Sequence, residues 1–209
     1  MGVDLSLLAA DWAWLGRFPP GERVARLRAA WYADETGLWG LETPDPPEGA
    51  WTWPRGPHEG RFAVYEFRGT LGSYKPHFWA CERWESCRAH AEPALRAEVD
   101  ALLGRVVWQG TTGEREHVDA GFLAPGAGEA PSRVLLALTP DTVHDLAERW
   151  QRLRPCLGGL RETYTAHVEA VPDGAWIVDF AEFATLVEDW GRVLEEAAGW
   201  GWCVVGLGE

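Results

Sequence analysis

The sequence predicts an α+β fold, with α/β as its variant, in which a mixed sheet is packed by amphipathic helices in a single domain. Three observations carry this expectation. Short apolar runs with strand character alternate with helical stripes along the chain. Its 209 residues fit one domain. No internal repeat and no linker divides it.

Val3, Leu5 and Leu7 alternate as in a strand, whereas Leu5, Leu8, Trp12 and Leu15 recur near helical spacing. A short strand followed by a helix from about Ala10 accommodates both. Pro20 suits a first helical position, and Val24, Leu27 and Trp31 predict an amphipathic helix over 21–33. Residues 43–60 hold five prolines and three glycines, too many breakers for a regular element, and form a loop that carries Trp51 and Trp53. Phe62, Val64 and Phe67 mark a strand over 61–69. A helix follows over 76–91 and another starts at Pro93, with Leu95, Val99 and Leu102 inward. Val106 to Trp108 reads as a short strand, and Gly110–Gly113 and Gly121–Ser132 as loops.

The last third is more regular. Val134 to Leu138 is a buried-strand run. Thr139 caps a helix with Pro140 at its first position and Val143, Leu146, Ala147, Trp150 and Leu153 on one face. Pro155 and Gly158-Gly159 end it. Asp173-Gly174 turns the chain into Trp176-Ile177-Val178, read as a strand. Asp179 and Glu182 have capping-box spacing ahead of a long helix striped by Phe183, Val187, Trp190, Leu194 and Ala197. Gly199 supplies its left-handed end, and Trp202 to Leu207 is a last buried strand.

The formal charge is −13, which disfavours nucleic acid and anionic lipid, whose binding rests on Lys and Arg. Such a charge gives solubility, and it also steers a basic protein partner. No apolar run reaches the roughly 20 residues of a membrane helix, and no secretion signal opens the chain. The four cysteines have no framework spacing, which fits a reducing cytoplasm. Among 19 basic residues, Lys75 is the one lysine, in a chain whose Arg, Gly and Ala usage resembles that of a GC-rich bacterial genome.

Fourteen tryptophans exceed what a core of this size needs. Trp31, Trp150 and Trp190 are in phase with apolar helix faces, and Trp108, Trp176 and Trp202 lie in strand runs, so all six are read as core. Trp51, Trp53 and Arg55 lie outside any such phase. They either plug the core or offer partner contacts of the kind enriched in binding hot spots. The surplus of indoles also leaves a homodimer open.

Chemistry-bearing residues are few. Tyr74, Lys75 and His77 gather a phenol, an amine and an imidazole; a recessed Lys serves as base or Schiff-base nucleophile, against the bland reading of a solvated turn. His117 and Asp119, at a two-residue step on a strand, would face one side as an acid–base pair, or else sit in a solvated acidic loop. His77, Cys81, Cys87 and His90 are ligand types for zinc. On one continuous helix, though, the step from Cys81 to Cys87 turns about 240° and points the two pairs apart. No metal and no cofactor is therefore expected. Arg149, Arg152, Arg154 and Arg161 form a basic cluster best read as internal ion pairs with flanking Glu148 and Glu162. Phosphate-loop, dinucleotide-binding, zincin and nucleophile-elbow motifs are absent.

The two ends of the chain carry a family likeness. Met1-Gly2 leads directly into an apolar strand and helix, and Leu138-Thr139-Pro140 opens a helix. Trp176 to Phe180, a helix through Trp190 and Leu194, and Gly201 to Leu207 form a closing helix–strand pair. In these features the chain resembles the YfbM-like group of small bacterial α+β proteins. The resemblance covers the last third and the first dozen residues, while the Pro-rich segment and Lys75 depart from it. It implies a compact α+β domain and carries over no catalytic residue.

Two functional readings follow. The first is a non-catalytic acidic binding protein, of immunity or adaptor type, that holds a protein partner through Trp51, Trp53 and Arg55. The alternative is a small enzyme built on Tyr74, Lys75 and His77, with His117 and Asp119 across a cleft.

Overall fold

The computed structural model describes residues 4–32, 47–54, 58–106, 122–123, 134–169 and 176–208. Among these residues five strands form one sheet: β1 (Leu5–Ala10), β2 (Ala50–Thr52), β3 (Phe62–Glu66), β4 (Val134–Leu138) and β5 (Cys203–Gly208), in the order β2-β3-β1-β5-β4. Every pairing is antiparallel, so the fold is α+β and the expected mixed sheet is antiparallel throughout. The path from β4 to β5 passes through three helices instead of one crossover helix and brings the chain back antiparallel.

β1 occupies the centre because both its faces are apolar. Leu5, Leu7 and Ala9 join the larger core, together with Tyr65, Leu136, Leu138 and Val204 from neighbouring strands. Leu8 and Ala10 join Phe62, Val64, Ala137, Cys203, Val205 and Leu207 in a smaller core on the opposite face. Helices α1 (Trp12–Leu15) and α2 (Pro20–Tyr32) cover that smaller face through Trp14, Leu15, Val24 and Leu27. The larger face is covered by α3 (Lys75–Cys87), α4 (Pro93–Val106), α5 (Pro140–Leu153), α6 (Arg161–His167) and α7 (Phe180–Trp200). No described helix is long and apolar enough to cross a membrane.

The helix starts follow local chemistry. Asp11 ends β1 and caps α1, accepting from Trp14 N at 3.0 Å. Thr139 caps α5 with Pro140 at its first position. Asp179 and Glu182 form a reciprocal capping box at α7. Four boundaries differ from the sequence reading. β2 lies inside the breaker-rich 43–60 segment, paired with β3 on one side only, where so short an edge strand tolerates flanking Pro and Gly. The helix expected over 76–91 ends at Cys87 and continues as a 3₁₀ turn, Arg88–His90. Val106 closes α4 instead of opening a strand, and Val107 and Trp108 lie outside the described residues. In agreement with that reading, α5 ends at Leu153, where Pro155 and Gly158-Gly159 follow in a 3₁₀ segment, Arg154–Leu160, before α6 begins. Trp176 to Val178 form no strand; Ile177 takes a left-handed φ of 59° as the chain turns into the α7 cap.

α7 organises the larger core. Its Gly191 lets the Trp150 ring of α5 lie against the helix backbone, and any Cβ there would fall inside the ring's van der Waals envelope. Two residues earlier, Asp189 is wholly buried. It accepts Arg68 N at 2.8 Å and Arg68 Nε at 2.8 Å, and the Tyr65 hydroxyl donates to it at 3.3 Å. The buried carboxylate is thus fully hydrogen-bonded and ties the chain after β3 to the middle of α7.

Candidate binding surface at the β2 edge

α7 and the edge strand β2 run side by side, and their periodicities match. Four helix residues rise about 6 Å and two extended residues about 6.7 Å, so every fourth α7 residue meets every second residue of the stretch 49–53 that contains β2. Arg192 Nη1 donates to Gly49 O at 2.6 Å. Trp51 Nε1 donates to the Glu196 carboxylate. Trp53 then packs edge-on against Trp200, with ring centroids 5.1 Å apart. The series ends in an indole cluster: Trp200 also meets Trp51 at 5.1 Å and Trp202 at 5.2 Å, and Trp53 meets Trp202 at 5.7 Å.

The C-terminal end of α7 makes this cluster possible. Gly201, not Gly199, takes the left-handed conformation, with φ 67°. Trp202 N bonds back to Ala197 O at 2.9 Å, and this reversal folds Trp202 beside Trp200. Trp202 therefore flanks β5 and is only partly buried, where the sequence reading had placed it in a strand core.

The choice between plug and contact surface divides between the two loop indoles. Trp51 is half-buried, stacks edge-on to Tyr65 at 5.1 Å and packs against the larger core. Trp53 stays 45% exposed. Arg55 lies outside the described residues.

Among the described residues, the other sequence-predicted candidates form no shared polar site. Tyr74 stacks near His77, at 5.9 Å between ring centroids. His77 is wholly buried, accepts from Trp190 Nε1 at 3.2 Å, and is driven by burial down to a pKa of about 3. Such an imidazole is a neutral acceptor of the core. Lys75 is exposed at the start of α3, so the recessed amine that the enzyme reading needs is not formed. A residue two helix positions from His77 points about 200° away from it. His117 and Asp119 lie outside the described residues.

Cys81 and Cys87 face the larger core, and burial pushes both thiols up, Cys87 to about 11. Exposed His90 stacks on His167 with ring centroids 3.8 Å apart, away from buried His77. Among the described residues no three His, Cys, Asp or Glu side chains gather as metal ligands. Of the basic cluster, Arg149 and Arg152 lie 3.6 and 3.7 Å from Glu98, and Arg154 lies 3.9 Å from Glu195. Arg149 and Arg152 also line a groove of about 610 Å³ between α4 and α5, together with Arg105, Asp145 and Glu148, so three guanidinium groups there meet two carboxylates.

Sequence reasoning missed Trp200 altogether. The signal was present in Trp200-Gly201-Trp202, where two indoles straddle a glycine able to cap a helix. Comparison of the chain with protein-family models, curated proteins and solved structures finds no match in any of the three.

Proposed function

We propose that this is a non-catalytic, cytoplasmic binding protein of immunity or adaptor type. Its indole cluster at the β2 edge grips a basic protein partner, and its place is among proteins like the YfbM-like group. The observation that carries the reading is the Trp51–Trp53–Trp200–Trp202 cluster, whose outermost ring keeps nearly half its surface in water. Indole is the aromatic group most enriched in binding hot spots and the best face for a cation. The Glu196 carboxylate beneath Trp51 and the net charge of −13 favour Lys or Arg on the partner.

The test is capture of a partner from the native host by the full chain, compared with Trp53→Ala at low and high salt. Trp53→Ala is expected to weaken capture at least tenfold and to leave the melting temperature nearly unchanged, and salt is expected to weaken the native complex. Capture that is indifferent to both the substitution and ionic strength removes this reading. The enzyme alternative is less supported at its described residues, where Lys75 is exposed and His77 is committed to the core.

A further inference from the structure

A second feature lies away from the indoles, where α3 packs on α6. Arg83 of α3 is only 4% exposed, and Tyr164 of α6 only 2%. The Arg83 side chain passes over the Trp79 ring, 4.8 Å from its centroid. Its Nε and Nη2 have no hydrogen-bond partner, and neither does the Tyr164 hydroxyl. These two guanidinium nitrogens form one edge of the group, the side-on fork that grips two oxygens of a carboxylate or phosphate in parallel. The two residues are near enough for the Arg83 charge to act on the phenol, and burial raises that phenol far enough to keep it a donor.

A buried cation without a counter-charge is among the costliest arrangements a fold can hold. The neighbouring acids make no hydrogen bond to the fork. Asp179 Oδ1 accepts Glu182 N at 2.9 Å, and Glu182 Oε2 accepts Val178 N at 2.6 Å and Asp179 N at 3.3 Å. Glu85 lies two positions along α3, about 200° round the helix; its Oε1 pairs with Arg88 at 3.6 Å, and its buried Oε2 has no hydrogen-bond partner and does not reach the fork. Exposed Glu82 lies about 100° away. Among the described residues no acceptor meets the Nε–Nη2 edge of Arg83, which lies beside the Trp79 ring.

We propose that Arg83 and Tyr164 form an internal binding site for an oxyanion, the carboxylate or phosphate group of a small molecule, held bidentately by the Arg83 fork and capped by the Tyr164 hydroxyl. A protein of charge −13 repels anions in general, so a saturable response to one anion stands out against its background.

The experiment titrates the full chain with inorganic phosphate and, separately, with succinate. Ionic strength is held constant with sodium chloride, and thermal stability is followed together with the Arg Nε–H resonances of ¹⁵N-labelled protein. At least one of the two is expected to raise the melting temperature saturably, as ligand binding to the folded state requires, and to shift the resonance that Arg83→Lys deletes. A response to phosphate alone assigns a phosphoryl ligand, and a response to succinate alone a carboxylate. Arg83→Lys keeps the charge but loses the fork, and is expected to weaken binding at least tenfold; Tyr164→Phe should weaken it several-fold. No saturable response to either anion in the native chain overturns the proposal. So does an equal response in Arg83→Lys, and should that variant fail to fold, an unchanged affinity in Tyr164→Phe together with an unmoved Arg83 resonance does the same.

Discussion

Two populations of tryptophan share this molecule, and they differ in what their rings and N–H groups meet. Trp84, Trp150 and Trp190 are at most 2% exposed. Trp84 Nε1 donates to Asp100 at 2.8 Å and Trp190 Nε1 to His77 at 3.2 Å, so these buried indole donors have acceptors built for them. At the β2 edge, Trp51 donates to Glu196 at the surface of the larger core, and Trp53 leans on Trp200 and Trp202 with much of its ring in water. The first population holds the helices to the sheet. The second lies at the margin of that core, with the Trp53 ring half in water, and it is the surface on which the proposed binding role rests.

Substitutions can break that comparison. The largest effect is expected from Trp190→Ala, which empties the centre of the larger core and strands the His77 acceptor. A loss of about 3–5 kcal/mol is expected by chemical denaturation. A loss below about 1 kcal/mol would mean that the interior indoles are dispensable too. Next comes Gly191→Ala, which forces a methyl against the Trp150 ring and is expected to cost about 1–3 kcal/mol through overpacking, read as a fall in melting temperature.

The partner of Trp190 sharpens the contrast through pH. The His77 imidazole takes up its proton below its ordinary value of 6.5 in the unfolded chain, but only near about 3 in the folded one. Between those limits the unfolded state binds more protons, so His77 lowers stability as pH falls through that window, by about 1.4 kcal/mol per unit. His77→Gln keeps an acceptor for Trp190 and removes the titration. Its denaturation free energy is expected to fall less steeply than that of the native chain between pH 6 and pH 4. Parallel curves would show that His77 does not set this acid limb. The smallest effect on stability is expected from Trp53→Ala, about 1 kcal/mol or less from the lost edge-on contacts. A loss as large as that of Trp190→Ala would make Trp53 a structural residue and erase the distinction between the two groups.

Much of the fold was legible because its signals are local. Thr139-Pro140, the Asp179–Glu182 capping box and the stripe from Phe183 to Ala197 each lie within one or two helical turns, where side chains act on their own backbone. The segment 43–60 was misread because three residues of edge strand gain their regularity from β3, not from their own sequence. Trp176–Val178 was misread for the opposite reason: an apolar triplet looks like a strand, yet no neighbouring strand takes it. At the site, Trp51 and Trp53 were identifiable as indoles with no register to hide in. Their companions were not, since Trp200 and Trp202 reach them only when the end of α7 is brought beside the sheet edge.

By itself the sequence determined the α+β class, the capped helices, the strongly anionic surface and the surplus of indole, all set by composition or by interactions within a few residues. The tertiary structure alone decided which tryptophans face water, that Lys75 is exposed and His77 enclosed, and that Arg83 and Tyr164 are buried with polar atoms left unpartnered. Those outcomes depend on which distant segments share a neighbourhood, and long-range packing, not local propensity, makes that choice.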